Sequence, residues 1–173
     1  GKGQVLMDYD VTLYAGAKDV KFGDNKDGGL GLRVASTMKV KALARHAKES
    51  PSFGTIMNSR GDKNDAAWGK QAEWVDYSGP DASGKTVGVA MFDHPSNLRA
   101  PTGWHARYYG LLTANRFAAG SFGRASGAKK GDGDYTIRKG ESLTLRHRFF
   151  IHHGDSDAAK VAESYEAYVG SGK

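Results

Sequence analysis

The chain has 173 residues, with 25 Lys and Arg against 19 Asp and Glu for a formal charge of +6, and no cysteine. That length makes one domain with enough chain to bury a core, and the missing thiols exclude a disulfide scaffold, thiolate metal sites, iron–sulfur clusters and a cysteine nucleophile. No apolar run approaches the roughly 20 residues of a membrane-spanning helix, and the basic residues are dispersed among acids rather than clustered as a nucleic-acid footprint.

Period-2 patterning dominates from the start. Val5, Met7, Tyr9, Val11 and Leu13 alternate with Asp8, Asp10 and Thr12 as in a half-buried strand. A turn at Lys26-Asp27-Gly28-Gly29 leads to a second strand, Leu30 to Ser36. Met38 to Lys48 reads as a basic helix or an extended strand, and Ser50 to Asn64 as a loop. Trp74 to Ser78 and Thr86 to Asp93 form a hairpin, and Trp104 to Ala114 a further strand. Gly120 to Gly133 is a glycine- and lysine-rich connection, followed by strands at Tyr135 to Arg138 and Ser142 to His152. One helix closes the chain over about 156–169: Ser156 caps it, Val161, Tyr165, Tyr168 and Val169 form its apolar stripe, and Gly170 ends it. Twenty-four glycines with four prolines suit turns between many short strands. The expected fold is all-β, a single antiparallel β-sandwich of simple or supersandwich type with one C-terminal α-helix.

Several motifs tempt and fail. Gly79 to Thr86 fits the G-x-x-x-x-G-K-[ST] phosphate loop, but Val87-Gly88-Val89-Ala90 behind it suits a strand where that loop needs a helix, so a hairpin turn and no nucleotide are expected. Asp132-Gly133-Asp134 lacks the acid that a calcium loop needs at its twelfth position, where Leu143 stands.

The histidines carry more. In the last strand Leu143, Leu145, His147, Phe149 and Ile151 share the core face, while Thr144, Arg146, Arg148, Phe150 and His152 share the other. That second face is either a solvated sheet face or a surface that grips an anionic or polyhydroxylated ligand through Arg146, Arg148 and His152. The densest polar and aromatic stretch is Phe92-Asp93-His94-Pro95-Ser96-Asn97 followed by Trp104 to Gly110. It supplies an acid or base, an orienting carboxylate, amide donors and stacking surface. His105 is expected to act as acid/base or metal ligand, with Asp93 as its orienting carboxylate and His94 beside it. Arg107, Asn97 and Tyr109 would bind ligand. Parity puts His105, Arg107 and Tyr109 on one face and Trp104 on the packed one. No metal spacing is diagnostic, so the cofactor is left open.

The strings KDGGLGLRVA (Lys26 to Ala35), WGKQAEWVDYSGP (Trp68 to Pro80), GVAMFDHPSN (Gly88 to Asn97), PTGWHARYYGLLTAN (Pro101 to Asn115) and the Arg146 to Gly154 strand resemble the bacterial PmoA-like family, proteins labelled "methane oxygenase PmoA". The resemblance implies a soluble, exported β-sandwich protein, periplasmic or secreted, associated with sugar-oxidoreductase and glycan-degradation systems. It also implies that this chain is the C-terminal portion of a longer protein; the opening Gly1-Lys2-Gly3 without an initiator Met is read as a processed product or an excised or trimmed fragment, with the choice left open. The expected function is sugar binding or glycan processing. The alternative is a structural protein that assembles into homo-oligomers through exposed sheet edges.

Overall fold

The computed structural model describes residues 3–41, 53–123 and 127–170. Nine strands and two helices follow in order: β1 (Val5–Tyr14), β2 (Val20–Phe22), β3 (Leu30–Arg33), β4 (Thr55–Asn58), β5 (Trp74–Pro80), β6 (Thr86–Asp93), β7 (Leu111–Ala114), the one-turn α1 (Ala119–Phe122), β8 (Tyr135–Ile137), β9 (Ser142–His153) and α2 (Val161–Gly170). The main sheet is antiparallel and five-stranded in the order β1-β9-β6-β5-β4, and β2 with β8 and β3 with β7 make two smaller pairs. The all-β antiparallel, sandwich-like fold with its C-terminal helix is therefore as expected.

Side-chain alternation gives the main sheet two buried faces. On one, Ile56, Val75, Tyr77, Met91 and Phe149 pack against Trp104, Ala106, Leu112 and Ala114 of the facing layer. On the other, Trp74, Ala90, Phe92 and Phe150 pack against Val161, Tyr165 and Tyr168 of α2, with Val169 partly buried beside them. The helix stripe read from the sequence is thus the face that docks. Its cap is not: α2 starts at Val161, after Lys160 has taken a positive φ of 57°. Ser156 lies buried in the turn before it, and its carbonyl accepts the Val161 N–H.

Three other expectations change. The single strand from Trp104 to Ala114 folds back on itself, because Gly110 takes a φ of 96° and its N–H closes a turn on the Arg107 carbonyl. Trp104 then bridges Ala114, and Arg107 bridges Leu111. Thr55–Asn58, expected in a loop, is the edge strand β4, held by pairing with β5 and by the burial of Ile56. Val20–Phe22 is a strand through its pairing with β8, too short to show a period. Of the Met38 to Lys48 reading, residues 42–48 lie outside the described residues. The phosphate-loop look-alike is the β5–β6 turn, where the Asp81 carboxylate accepts the N–H groups of Ser83 and Lys85. Among the described residues no helix is long and apolar enough to cross a membrane.

Candidate functional site

The 104–114 hairpin is part of the facing layer, and its two rows of side chains part as parity requires. Trp104 and Ala106 enter the core, while His105 and Arg107 turn to the other side. Tyr77 fixes the turn from beneath: its hydroxyl donates to the Tyr108 carbonyl at 3.0 Å and accepts the Val40 N–H at 3.2 Å.

His105 is buried, and its Nδ1 lies 2.9 Å from the Lys26 carbonyl oxygen. A carbonyl only accepts, so Nδ1 carries the proton. Burial, followed by the charge of Arg107, lowers the imidazole pKa against the opposing pull of the Lys26 carbonyl. The ring is therefore neutral near pH 7, with a lone pair on Nε2 that has no hydrogen-bond partner among the described residues. Trp68 stands edge-on to this ring at 6.3 Å and Phe122 at 6.2 Å, and the two aromatics meet each other at 5.5 Å. The Arg107 guanidinium lies 6.0 Å from the Trp68 ring and 5.5 Å from the Tyr109 ring. Beside them opens a cavity of about 660 Å³ lined by Trp68, Gln71, Arg99, Asn115 and Phe122 among others.

The remaining expected residues do not join it. Asp93 is not the partner of His105. Its Oδ1 accepts from Asn97 at 2.7 Å and from Arg116 at 2.9 Å, and its Oδ2 accepts the Thr102 N–H. Arg116 also donates to Nε2 of His147, which makes a buried polar cluster between the layers. Asn97 clamps β9 by exchanging hydrogen bonds with the backbone of Arg146, so its amide is structural. His94 sits on the α2 side, its Nδ1 bonded to the Ser96 hydroxyl and N–H and its ring against Tyr168. His152 is buried against Asp76 under that same side. The Arg146 and Arg148 stripe is neutralised across the β1–β9 pair: Arg148 pairs with Asp8 and Arg146 with Asp10, and Arg148 stacks on Tyr168. His94, His105 and His152 thus occupy three separate environments.

Trp68, Phe122 and Arg116 were not singled out from the sequence. Trp68 left a signal, as a large aromatic in the polar, strand-free run Asn64 to Gln71. Phe122 and Arg116 left none, since each is placed by contacts distant in sequence. Among the described residues, no group of three or more His, Asp or Glu is arranged to hold a metal ion.

No curated protein and no solved structure is found to match the chain. The model of a family of unknown function, DUF6807, matches residues 1–166, and the chain belongs to that family.

Proposed function

We propose that the protein binds a carbohydrate or similar polyhydroxylated molecule in the cavity beside Trp68, with His105 supporting the Trp68 and Phe122 rings of its wall. The observation that carries this reading is the edge-to-face pair of Trp68 and Phe122 at an opening that Gln71, Asn115 and Arg99 also line, their amide and guanidinium groups held in place by backbone carbonyls. Sugars present apolar C–H faces to aromatic rings and hydroxyls to amides and guanidinium groups, so this mixture of groups suits them. The volume of about 660 Å³ falls inside the roughly 300–1,000 Å³ range of small-molecule sites. The resemblance to PmoA-like proteins points the same way.

His105 is not in the cavity wall, and its place behind Trp68 and Phe122 makes it the base that a shift of those rings would bring to a ligand. A neutral imidazole whose Nδ1–H is anchored on a carbonyl presents Nε2 as a base of fixed tautomer and orientation. The test is a titration with a panel of mono- and disaccharides read by Trp fluorescence and amide NMR shifts. Binding that Trp68→Ala abolishes, and that His105→Gln weakens with no change in melting temperature, supports the reading. Binding that survives Trp68→Ala, or no response to any saccharide at millimolar concentration, overturns it.

A further inference from the structure

A second cavity, of about 380 Å³, opens inside the sandwich at the β1–β9 end of the main sheet. Tyr9, Val11, Leu13 and Leu145 wall it on the sheet side, and Phe22 and Phe117, whose rings stack at 4.6 Å, on the other. Arg116 and His147 also belong to its lining, although each side chain is only 2 % exposed. The walls are otherwise mainly apolar.

One polar atom of this buried cluster has no partner: Nδ1 of His147, which is shut off from solvent. Arg116 donates to Nε2 at 2.9 Å, and a guanidinium cannot accept, so Nε2 holds the lone pair and the neutral ring carries its proton on Nδ1. The result is a buried donor without an acceptor, which native structures avoid unless a ligand, ion or water supplies one. Its direction follows from the ring. His147 is flanked by Asp93 on β6 and by Tyr9 on β1. Nε2 turns to the Asp93 side, where it lies 3.7 Å from Oδ1. The two nitrogens of an imidazole point away from each other, so Nδ1–H turns to the Tyr9 side, which is that of the cavity. Tyr9 is 42 % exposed, and its ring has room to swing aside for a ligand.

We propose that this cavity binds a small, neutral, largely apolar carbonyl compound, whose oxygen accepts the His147 Nδ1–H while its hydrocarbon part lies against Phe22, Phe117 and Leu145. Neutrality follows from the cluster. Arg116 and Asp93 cancel in direct contact at 2.9 Å and the imidazole is uncharged, so nothing is left to offset the desolvation of a carboxylate or an ammonium. The carbonyl follows from the walls. A hydroxyl would bring a donor of its own into apolar surroundings, and a carbonyl brings none. The volume lies within the roughly 300–1,000 Å³ of small-molecule sites.

The probes are acetophenone, ethylbenzene and benzoate, which share a phenyl ring and differ in carrying a carbonyl oxygen, no oxygen or a carboxylate. Titration followed by amide and imidazole NMR shifts should show saturable binding of acetophenone, with the His147 Nδ1–H and the Leu145 amide moving. Ethylbenzene and benzoate should bind at least about tenfold more weakly at neutral pH. His147→Leu should bring acetophenone down to the ethylbenzene level, and Trp68→Ala, in the other cavity, should leave all three affinities unchanged. Where His147→Leu fails to fold, the wild-type ratio of acetophenone to ethylbenzene decides alone. Equal binding of these two, tighter binding of benzoate, shifts confined to Trp68 and Phe122, or no saturable binding of acetophenone, which would leave water as the only partner of Nδ1, overturns the proposal.

Discussion

His152 Nε2 lies 2.9 Å from Asp76 Oδ1, with both side chains shut off from solvent between the main sheet and its helical cover. Room for the ring comes from Gly88 on the intervening strand, since a Cβ there would stand inside contact distance of the imidazole Cε1. Gly88→Ala is expected to destabilise by about 1–3 kcal/mol through overpacking. Asp76→Ala is expected to cost about 3–5 kcal/mol, because it strands one member of a buried pair. Urea unfolding of Asp76→Ala, His152→Ala and their double variant checks the pair. The double should cost clearly less than the sum of the two singles, and strict additivity would show that His152 and Asp76 are not coupled.

A second buried imidazole makes stability depend on pH. Burial first, then the charge of Arg116, pushes the His147 pKa down to about 4, against the weaker opposing pull of Asp93. Arg116 can only donate to Nε2, which also favours the neutral ring. Between the unfolded value near 6.5 and about 4 the unfolded chain binds the extra proton, so stability falls as pH falls through that window and is fully present above it. The total is about 3 kcal/mol at 1.36 kcal/mol per pKa unit. Melting temperatures measured from pH 7.5 to 4 should show this slope in the wild type and a flatter one in His147→Gln. Equal slopes would place the titrating group elsewhere.

Tyr165 holds α2 to the sheet. Its ring meets Phe92 edge-on at 5.6 Å, and its hydroxyl reaches the Asp93 carbonyl at 3.4 Å. Tyr165→Ala should therefore cost about 3–5 kcal/mol as a large-to-small core change. Tyr165→Phe, which keeps the ring and gives up one long hydrogen bond, should cost about 1 kcal/mol or less. Guanidinium unfolding separates the two. Equal losses would mean that the hydroxyl, not the ring, anchors the helix.

The features legible in the sequence were those that repeat locally. β1, the β5–β6 hairpin, β9 and the α2 stripe carry a period of two or of three to four over enough residues to fix the element, but only for α2 does it also fix the buried side, since Val5, Met7, Tyr9 and Ile151 of the expected core rows stay exposed while Phe150 and His152 are buried. What was hidden depends on long-range partners. Nothing near Asp93 in sequence says that Arg116, rather than His105, completes its hydrogen bonds, and nothing near His105 says that the Lys26 carbonyl fixes its tautomer. The Trp104 to Ala114 segment misled because its apolar pattern runs straight through a turn that only the left-handed φ of Gly110 makes.

Asp24 links the strand β2 to the rim of the proposed sugar site. Its Oδ1 accepts the Ser121 N–H at 3.0 Å, and its Oδ2 accepts those of Gly131 at 3.0 Å and Gly133 at 3.1 Å. Burial alone would raise this carboxyl, but these donors outweigh it and hold its pKa below the ordinary 3.8. The packing is close: a Cβ on Gly120 would collide with the Lys129 carbonyl and with Asp24 Oδ2. Ser121 belongs to α1 next to Phe122, so the carboxylate fixes one aromatic wall of the cavity. Asp24→Asn keeps the size but turns an NH₂ group toward backbone donors, and it should cost about 1–3 kcal/mol. Faster hydrogen exchange at the Gly131 and Gly133 amides, and weaker saccharide binding with the His105 amide shift unchanged, are the expected readouts. Because the folded pKa is depressed, the stabilisation is present above pH 3.8 and lost as pH falls through the folded value. The variant and the wild type should therefore differ by a constant amount at neutral pH and converge only in acid, below the window in which His147 acts. A difference that fades above pH 4 would assign the loss to another group.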